Sequence, residues 1–376
     1  MAAMSAGNAT SGVLAAPHGT PSVIRGVRFP GRYLQGPGCF ARLGAEAGGF
    51  AQSALVLLDG GVFALLEPAL RAAFVGCPEY VLVRHAGECS LSEIARVTAK
   101  ARHARARVIV GIGGGKALDT AKAVADDLQL PLIVVPTIAA SDAPCSALAV
   151  IYNDDATVAF DRFVRRNPDL VLVDTRIIAG APARYLSAGI GDALATFYEA
   201  QSCQRSGALN CLGLQGSGVA YTIARSCRDA LFEFAAQALL ECDANEPGEA
   251  MERIVEANVL LSGIGFESGG VAAAHAIHHG LCELDETHGY LHGEKVTIGV
   301  LASLKLHADE AEFRRVHAFC LAARLPTRLA DIGVREVTDD KLQIVARRAC
   351  RTGEIVHNEP FAVTPVAVVA ALRALG

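Results

Sequence analysis

Between Arg107 and Lys122 the chain reads RVIVGIGGGKALDTAK: branched apolar residues, a glycine turn at Gly113-Gly114-Gly115, then helical spacing. A strand, a tight turn and a helix in immediate succession make the unit from which doubly wound parallel sheets are built. The stretches around it repeat this texture. Arg32–Gly36 reads as a short strand and Cys39–Phe50 as a helix. Ser53–Leu58 is an apolar run of strand length closed by Asp59-Gly60-Gly61, and Tyr80–Val83 is another strand. Ser90–His103 is an amphipathic helix, Leu132–Val135 a strand closed by Pro136-Thr137, and Pro168–Val173 the last strand. Ile138 to Leu148 is a small, polar loop kinked at Pro144. From about Pro182 strand-like runs vanish, and alanine-rich helical periodicity continues to a final helix at Pro365–Leu375. The expected fold class is therefore an α/β N-terminal nucleotide-binding domain with a parallel sheet, over 26–181, followed by an all-α C-terminal domain over 182–376. Residues 1–25 read as a flexible extension, without the basic start and long apolar core of a secretory signal.

The glycine turn lets backbone N–H groups approach a phosphate, with the positive end of the following helix aimed at it. It matches neither G-x-G-x-x-G nor the P-loop, and glycines used only as structural punctuation fit it too. Asp59, just past a strand, suits a ribose hydroxyl pair or a plain turn.

Net charge is −5, from 34 basic and 39 acidic residues with no basic block, which disfavours nucleic acid and anionic membrane as partners. No apolar run reaches the roughly 18–20 residues of a membrane span. Hydrophobic residues make up 52% of the 376, enough for a sizeable core in two domains of ordinary size. Eleven irregularly spaced cysteines without a C-x-x-C pair read as reduced thiols of a cytoplasmic protein.

Five of the 11 histidines fall in VAAAHAIHHGLCELDETHGYLHGEK, from Val271 to Lys295. His275, His278 and His279 share one side of a helix at i, i+3 and i+4, and His292 opens a second helix beyond an acidic loop that carries His288. Neutral imidazoles from two helices are a natural start for a divalent metal site, and solvated or core-packed histidines fit the same spacing. A metal there would sit in the cleft between the two domains.

Six blocks in order resemble the glycerol dehydrogenases of the iron-type (group III) alcohol dehydrogenase superfamily, which also holds the dehydroquinate synthases: GIGGGKALDTAKAVAD from Gly111, PTIAASDAPCSALAVIY from Pro136, GIGDALATFYEA from Gly189, GFESGGVAAAHAIHHG from Gly265, HGEKVTIG from His292 and IVHNEP from Ile355. The resemblance runs from about Arg32 to the C-terminus. It implies a dehydroquinate synthase-like fold with metal ligands at Asp192, His275 and His292. It implies NAD contacts at Asp59, Gly113, Gly114, Gly115, Lys116, Asp119, Thr137, Ser146, Leu148 and Tyr152, and substrate contacts at Asp142, Phe266 and His275. Asp142 and His275 would be the catalytic pair. A carboxylate and two imidazoles suit Zn²⁺ with one position open. The iron-using branch carries a histidine where this chain has Thr196, which favours the zinc-dependent polyol branch. Ala140 and Gly289 replace a serine and a histidine common in relatives, and the chain ends soon after Pro365.

The implied reaction is oxidation of glycerol or a related vicinal diol, by hydride transfer to NAD⁺ with Zn²⁺ as Lewis acid on the substrate hydroxyl. Asp142 would bond substrate hydroxyls, and Asp59 would favour NAD over NADP. His278 and His279 are candidates for a proton relay or for packing behind the ligands; Glu199, Glu256 and Glu267 read as helix or cap residues. The expected partner is a small-molecule polyol, and the expected assembly a homo-oligomer, octameric as in relatives. Two alternatives stand beside this. One is a relative acting on a phosphorylated substrate, such as a cyclising synthase or a glycerol-1-phosphate dehydrogenase. Such an enzyme needs a cationic pocket, and this chain has no clustered Arg or Lys beside the histidines, Lys295 being the nearest. The other is a non-catalytic nucleotide-binding paralogue, which would be expected to have lost a metal ligand.

Overall fold

The computed structural model describes residues 23–153 and 157–376. In chain order, β1 (Arg25–Gly26) and β2 (Tyr33–Gln35) precede α1 (Leu43–Phe50), β3 (Ser53–Leu58), α2 (Phe63–Ala73), β4 (Glu79–Arg84) and α3 (Leu91–His103). Then come β5 (Val108–Gly113), α4 (Gly115–Leu128), β6 (Leu132–Pro136), β7 (Leu148–Tyr152), β8 (Val158–Phe163) and β9 (Leu170–Val173). Six strands form one parallel sheet in the order β2-β9-β6-β5-β3-β4.

The central strands β5 and β6 are buried at every position, as a sheet covered on both faces requires. Alternate residues serve the two faces. Ala54, Val56, Leu58, Val110 and Ile112 meet Leu43, Leu70 and Phe74 beneath α1 and α2. Leu55, Leu57, Ile109, Val134 and Val171 join a core that runs on unbroken into the helices beyond the sheet. β4, at the edge, alternates exposed and partly buried residues over most of its length.

Beyond β9 the chain is helical. α5 (Thr175–Ala179) leads to α6 (Ala183–Ser206), α7 (Gly218–Asp243) and α8 (Glu249–Glu256), which runs through a π-turn at Ala257–Leu261 into α9 (Ser262–Gly269). α10 (Ala273–Leu281), α11 (His292–Leu306), α12 (Glu310–Ala322), α13 (Asp339–Ala349) and α14 (Pro365–Arg373) complete it.

The structure adds two elements to the sequence reading and corrects two of its expectations. The stretch from Leu148, to which the sequence assigned no strand, is an antiparallel hairpin, β7–β8. Its second strand is exposed at nearly every position, so it carries no alternating signal. α2 was not legible because Pro68 interrupts its pattern, yet the helix carries that residue in its interior. The helical half holds one two-residue strand, β10 (Gln215–Gly216), which pairs with β1. Arg25, assigned to the flexible extension, is therefore hydrogen-bonded structure, while residues 1–22 of that extension lie outside the described residues.

A candidate metal centre

α6 and α11 cross at glycines. A Cβ on Gly293 would lie 1.8 Å from the Ala188 carbonyl oxygen, and one on Gly191 would lie 2.6 Å from the Gly293 oxygen, so neither position accepts a side chain. Arg184 near the start of α6 pairs with Glu294 at 2.6 Å, which locks the two helices together beside the crossing. The neighbours of the two glycines, Asp192 after Gly191 on α6 and His292 before Gly293 at the first position of α11, are thereby brought side by side.

Asp192 is fully buried. Its Oδ2 accepts the peptide N–H of Asp142 at 3.1 Å. Its Oδ1 lies 3.0 Å from His292 Nε2 and 3.5 Å from His275 Nε2, and no hydrogen bond satisfies it. One ligand atom from each of the three lies within 4.8 Å of the others. Bonds of about 2.0–2.1 Å to a tetrahedral zinc place neighbouring ligand atoms about 3.3 Å apart, so these spacings and the orphaned buried oxygen fit a divalent ion. Burial opposes ionisation of Asp192, but the imidazoles of His292 and His275 outweigh it and hold the carboxyl below its usual range. Asp142 shows the reverse: burial, then the charge of Asp192, pushes its carboxyl well up.

Glu199 stands behind the site. It accepts the His275 and Ala272 peptide N–H groups at 2.9 Å each, and its Oε2 lies 2.6 Å from His275 Nδ1. The sequence reading left it as a helix residue. The available signal was spacing: it follows Asp192 by two helical turns, on the same face. Glu267, also left as a helix residue, is buried and holds the Ala147 N–H and the Asn167 side chain. Glu256 is a surface partner of Arg253. His278 packs its ring 4.3 Å from that of His292, with Nε2 3.4 Å from Cys282 Sγ and Nδ1 buried without a partner. His279 pairs with Glu354 at 3.0 Å. His288 is exposed and bonds the Cys282 carbonyl.

Asp142 Oδ2 accepts the Ser262 hydroxyl at 2.8 Å, and Ser262 in turn lies 2.7 Å from the Thr196 hydroxyl. Thr196 is thus the end of a buried hydroxyl chain leading to Asp142. Phe266, one turn after Ser262 on α9, is buried.

The glycine turn sits at the end of β5, where Thr137 N–H bonds the Gly113 carbonyl at 3.0 Å. Gly113 has φ +149°, and a Cβ there would meet Asp59 Cβ at 2.4 Å, so only glycine fits against that carboxylate. Asp59 accepts from Gly61 N at 2.8 Å and Gly114 N at 3.3 Å, and with Arg84 and Arg96 it lines an open cavity of about 490 Å³. Lys116 pairs with Glu88 and lies 4.9 Å over the Tyr152 ring.

Asp119 and Ser146 are turned inward. Asp119 is buried against Lys122 at 3.0 Å and the Val150 N–H, and Ser146 donates to the Ala143 carbonyl. Lys122, which the sequence reading passed over, is buried and also donates to the carbonyls of Ala143 and Leu148 at 2.7 Å each. It ties the loop after β6 to α4. The Asp142 N–H to Asp192 bond ties the middle of that loop to the candidate metal site. Ala140 lies within this loop, and Gly289 is exposed with open space around it.

Comparison with known proteins agrees with this layout. The family model "Iron-containing alcohol dehydrogenase" matches residues 30–175. A glycerol dehydrogenase of Thermotoga maritima is 49% identical over 350 residues, covering 92% of this chain and 95% of that protein. One of Pseudomonas putida is 47% identical over 352 residues, covering 93% and 96%. The crystal structure of a probable glycerol dehydrogenase from Sinorhizobium meliloti matches with a TM-score of 0.89 at 42% identity, covering 94% of this chain and 98% of that one.

Proposed function

This chain belongs to the glycerol dehydrogenases of the iron-containing alcohol dehydrogenase family, and on that premise we propose that it oxidises glycerol or a related vicinal diol to the hydroxyketone, with NAD⁺ as hydride acceptor and Zn²⁺ held by Asp192, His275 and His292. The observation that carries the reading is the orphaned Asp192 Oδ1 between two imidazole nitrogens, a donor set that neutral imidazoles and one carboxylate offer to zinc. Asp192, His275 and His292 would hold the ion, which would supply Lewis acidity at a substrate hydroxyl, and a nicotinamide coenzyme in the groove beside the glycine turn would supply hydride-accepting chemistry.

The protein's own groups do the rest. Asp142 has one oxygen committed to Ser262, which leaves the other to hydrogen-bond a second substrate hydroxyl, a role that suits a diol over a simple alcohol. Phe266 supplies an apolar wall. Backbone N–H groups of Gly113–Gly115 and the start of α4 receive the pyrophosphate. Asp59 keeps lone pairs for the 2′- and 3′-hydroxyls of the adenosine ribose and repels a 2′-phosphate, which favours NAD over NADP. The hydroxyl proton leaves to solvent.

The test is NADH production from glycerol, 1,2-propanediol and 2,3-butanediol, before and after stripping the protein with a chelator. Turnover of at least one diol that disappears on stripping and returns with added zinc is expected. A rate indifferent to stripping would overturn the metal role, and no turnover of any diol would overturn the substrate class.

A further inference from the structure

We propose that Glu199 is a positioning residue that fixes the tautomer and tilt of His275, so that Nε2 is the atom presented to the metal; this rests on the zinc-centre reading above. Glu199 is 2% exposed and projects from the same face of α6 as Asp192, so one helix supplies both a ligand and the group behind another ligand. Its Oε1 takes the peptide N–H groups of Ala272 and His275, which sets the start of α10 against it. Its Oε2 lies 2.6 Å from His275 Nδ1. A carboxylate oxygen at that distance takes a ring proton carried on Nδ1, and Nε2, 3.5 Å from Asp192 Oδ1, is the nitrogen turned toward the metal site.

A second buried carboxylate separates orientation from simple anchoring. Glu359 holds the same helix end through the Ala273 N–H at 3.1 Å, and spends its other oxygen on Ser202 at 2.6 Å and His307 at 2.8 Å. It touches no metal-site side chain. Glu199→Gln and Glu359→Gln therefore both weaken the anchor of α10, but only the first reaches the ring. In Glu199→Gln, an amide oxygen kept on the two peptide N–H groups turns its NH₂ toward Nδ1, which drives the ring proton onto Nε2, where the metal must bind. The opposite flip sets NH₂ against two N–H donors, which is worse.

Zinc affinity is measured for the unaltered protein and both variants by competition with a chromophoric chelator. The expected result is a Kd raised about 10–100-fold in Glu199→Gln and left near the unaltered value in Glu359→Gln. Equal weakening in both variants, or none in Glu199→Gln, would overturn the proposal. If the unaltered protein binds no zinc, it is the metal-centre reading that fails instead. Should Glu199→Gln not fold, nuclear magnetic resonance of the ¹⁵N-labelled, zinc-loaded unaltered protein decides. The His275 Nδ1 proton, shared with a buried carboxylate, is expected far downfield and slow to exchange. A His275 ring proton at the ordinary imidazole position would overturn the assignment.

Discussion

Asp192 divides its two oxygens between different tasks. Oδ2 is spent on the Asp142 peptide N–H, and Oδ1 is left to the two imidazoles. Loss of either imidazole removes one of the two nitrogens that face the buried Oδ1. His292→Ala is therefore expected to abolish stoichiometric zinc, measured by atomic emission after dialysis, and to cut dehydrogenase activity by more than about 100-fold, since even outer partners of ligands carry 10–100-fold. NAD⁺ affinity, read by titration calorimetry, is expected to stay close to the unaltered value, because Asp59 and the glycine turn are untouched. Lys122 is the second residue whose weight lies in what it leaves behind. Fully buried, it neutralises Asp119 and gathers two carbonyls. Lys122→Met is expected to cost about 3–5 kcal/mol in denaturant unfolding, because it strands a buried carboxylate. Asp119→Asn combined with Lys122→Met should recover part of that loss. The ligands and the glycine turn could be read from motif blocks, because chemistry restricts which residues serve there. Ser262 and Lys122 could not, because serine and lysine inside a helix are ordinary until the groups they reach across the fold are known, and Glu199 offered only its spacing from Asp192.

At the scale of elements, the site is made by helix packing. The contact between Gly293 and the Ala188 carbonyl sets how closely α11 approaches α6, and with it the gap between His292 and Asp192. Gly293→Ala would force the helices apart, at a cost of about 1–3 kcal/mol for overpacking. The expected outcome is a lower unfolding midpoint together with weakened zinc binding, although no ligand has been altered. A normal zinc affinity in a destabilised Gly293→Ala would show that the crossing serves stability alone. The buried strands were legible because a parallel sheet covered on both faces demands unbroken apolar runs such as Ser53–Leu58. The β7–β8 hairpin was not, since most of its second strand faces solvent and follows no pattern. α2 escaped for a different reason: Pro68 signals a helix end in sequence, whereas burial of Leu66 and Leu70 under the sheet holds the helix through it. The pairing of β1 with β10 joins segments nearly the length of a domain apart, and two residues on each side carry no periodicity at all.

At the scale of the whole molecule, the three ligands come from α6, α10 and α11, so an ion among them cross-links three helices that the chain otherwise joins through packing. Anything that binds the folded form alone stabilises it by mass action, about 2.7 kcal/mol at a free concentration 100 times the dissociation constant. Thermal unfolding should therefore move upward with free zinc and fall on chelation, and an unfolding midpoint insensitive to zinc would contradict a folded-state site. The loop between Pro136 and Leu148 is fastened at Thr137 to the glycine turn, at its middle by Asp142 to Asp192, and near its end by Lys122 to α4. One strap thus spans the proposed coenzyme groove and the candidate metal site, so a coenzyme bound at one end is expected to alter the bond on the carboxylate at the other. Cobalt placed in the zinc position would act as a strain gauge for that strap: its visible absorption band is expected to shift when NAD⁺ alone is added, before any alcohol arrives.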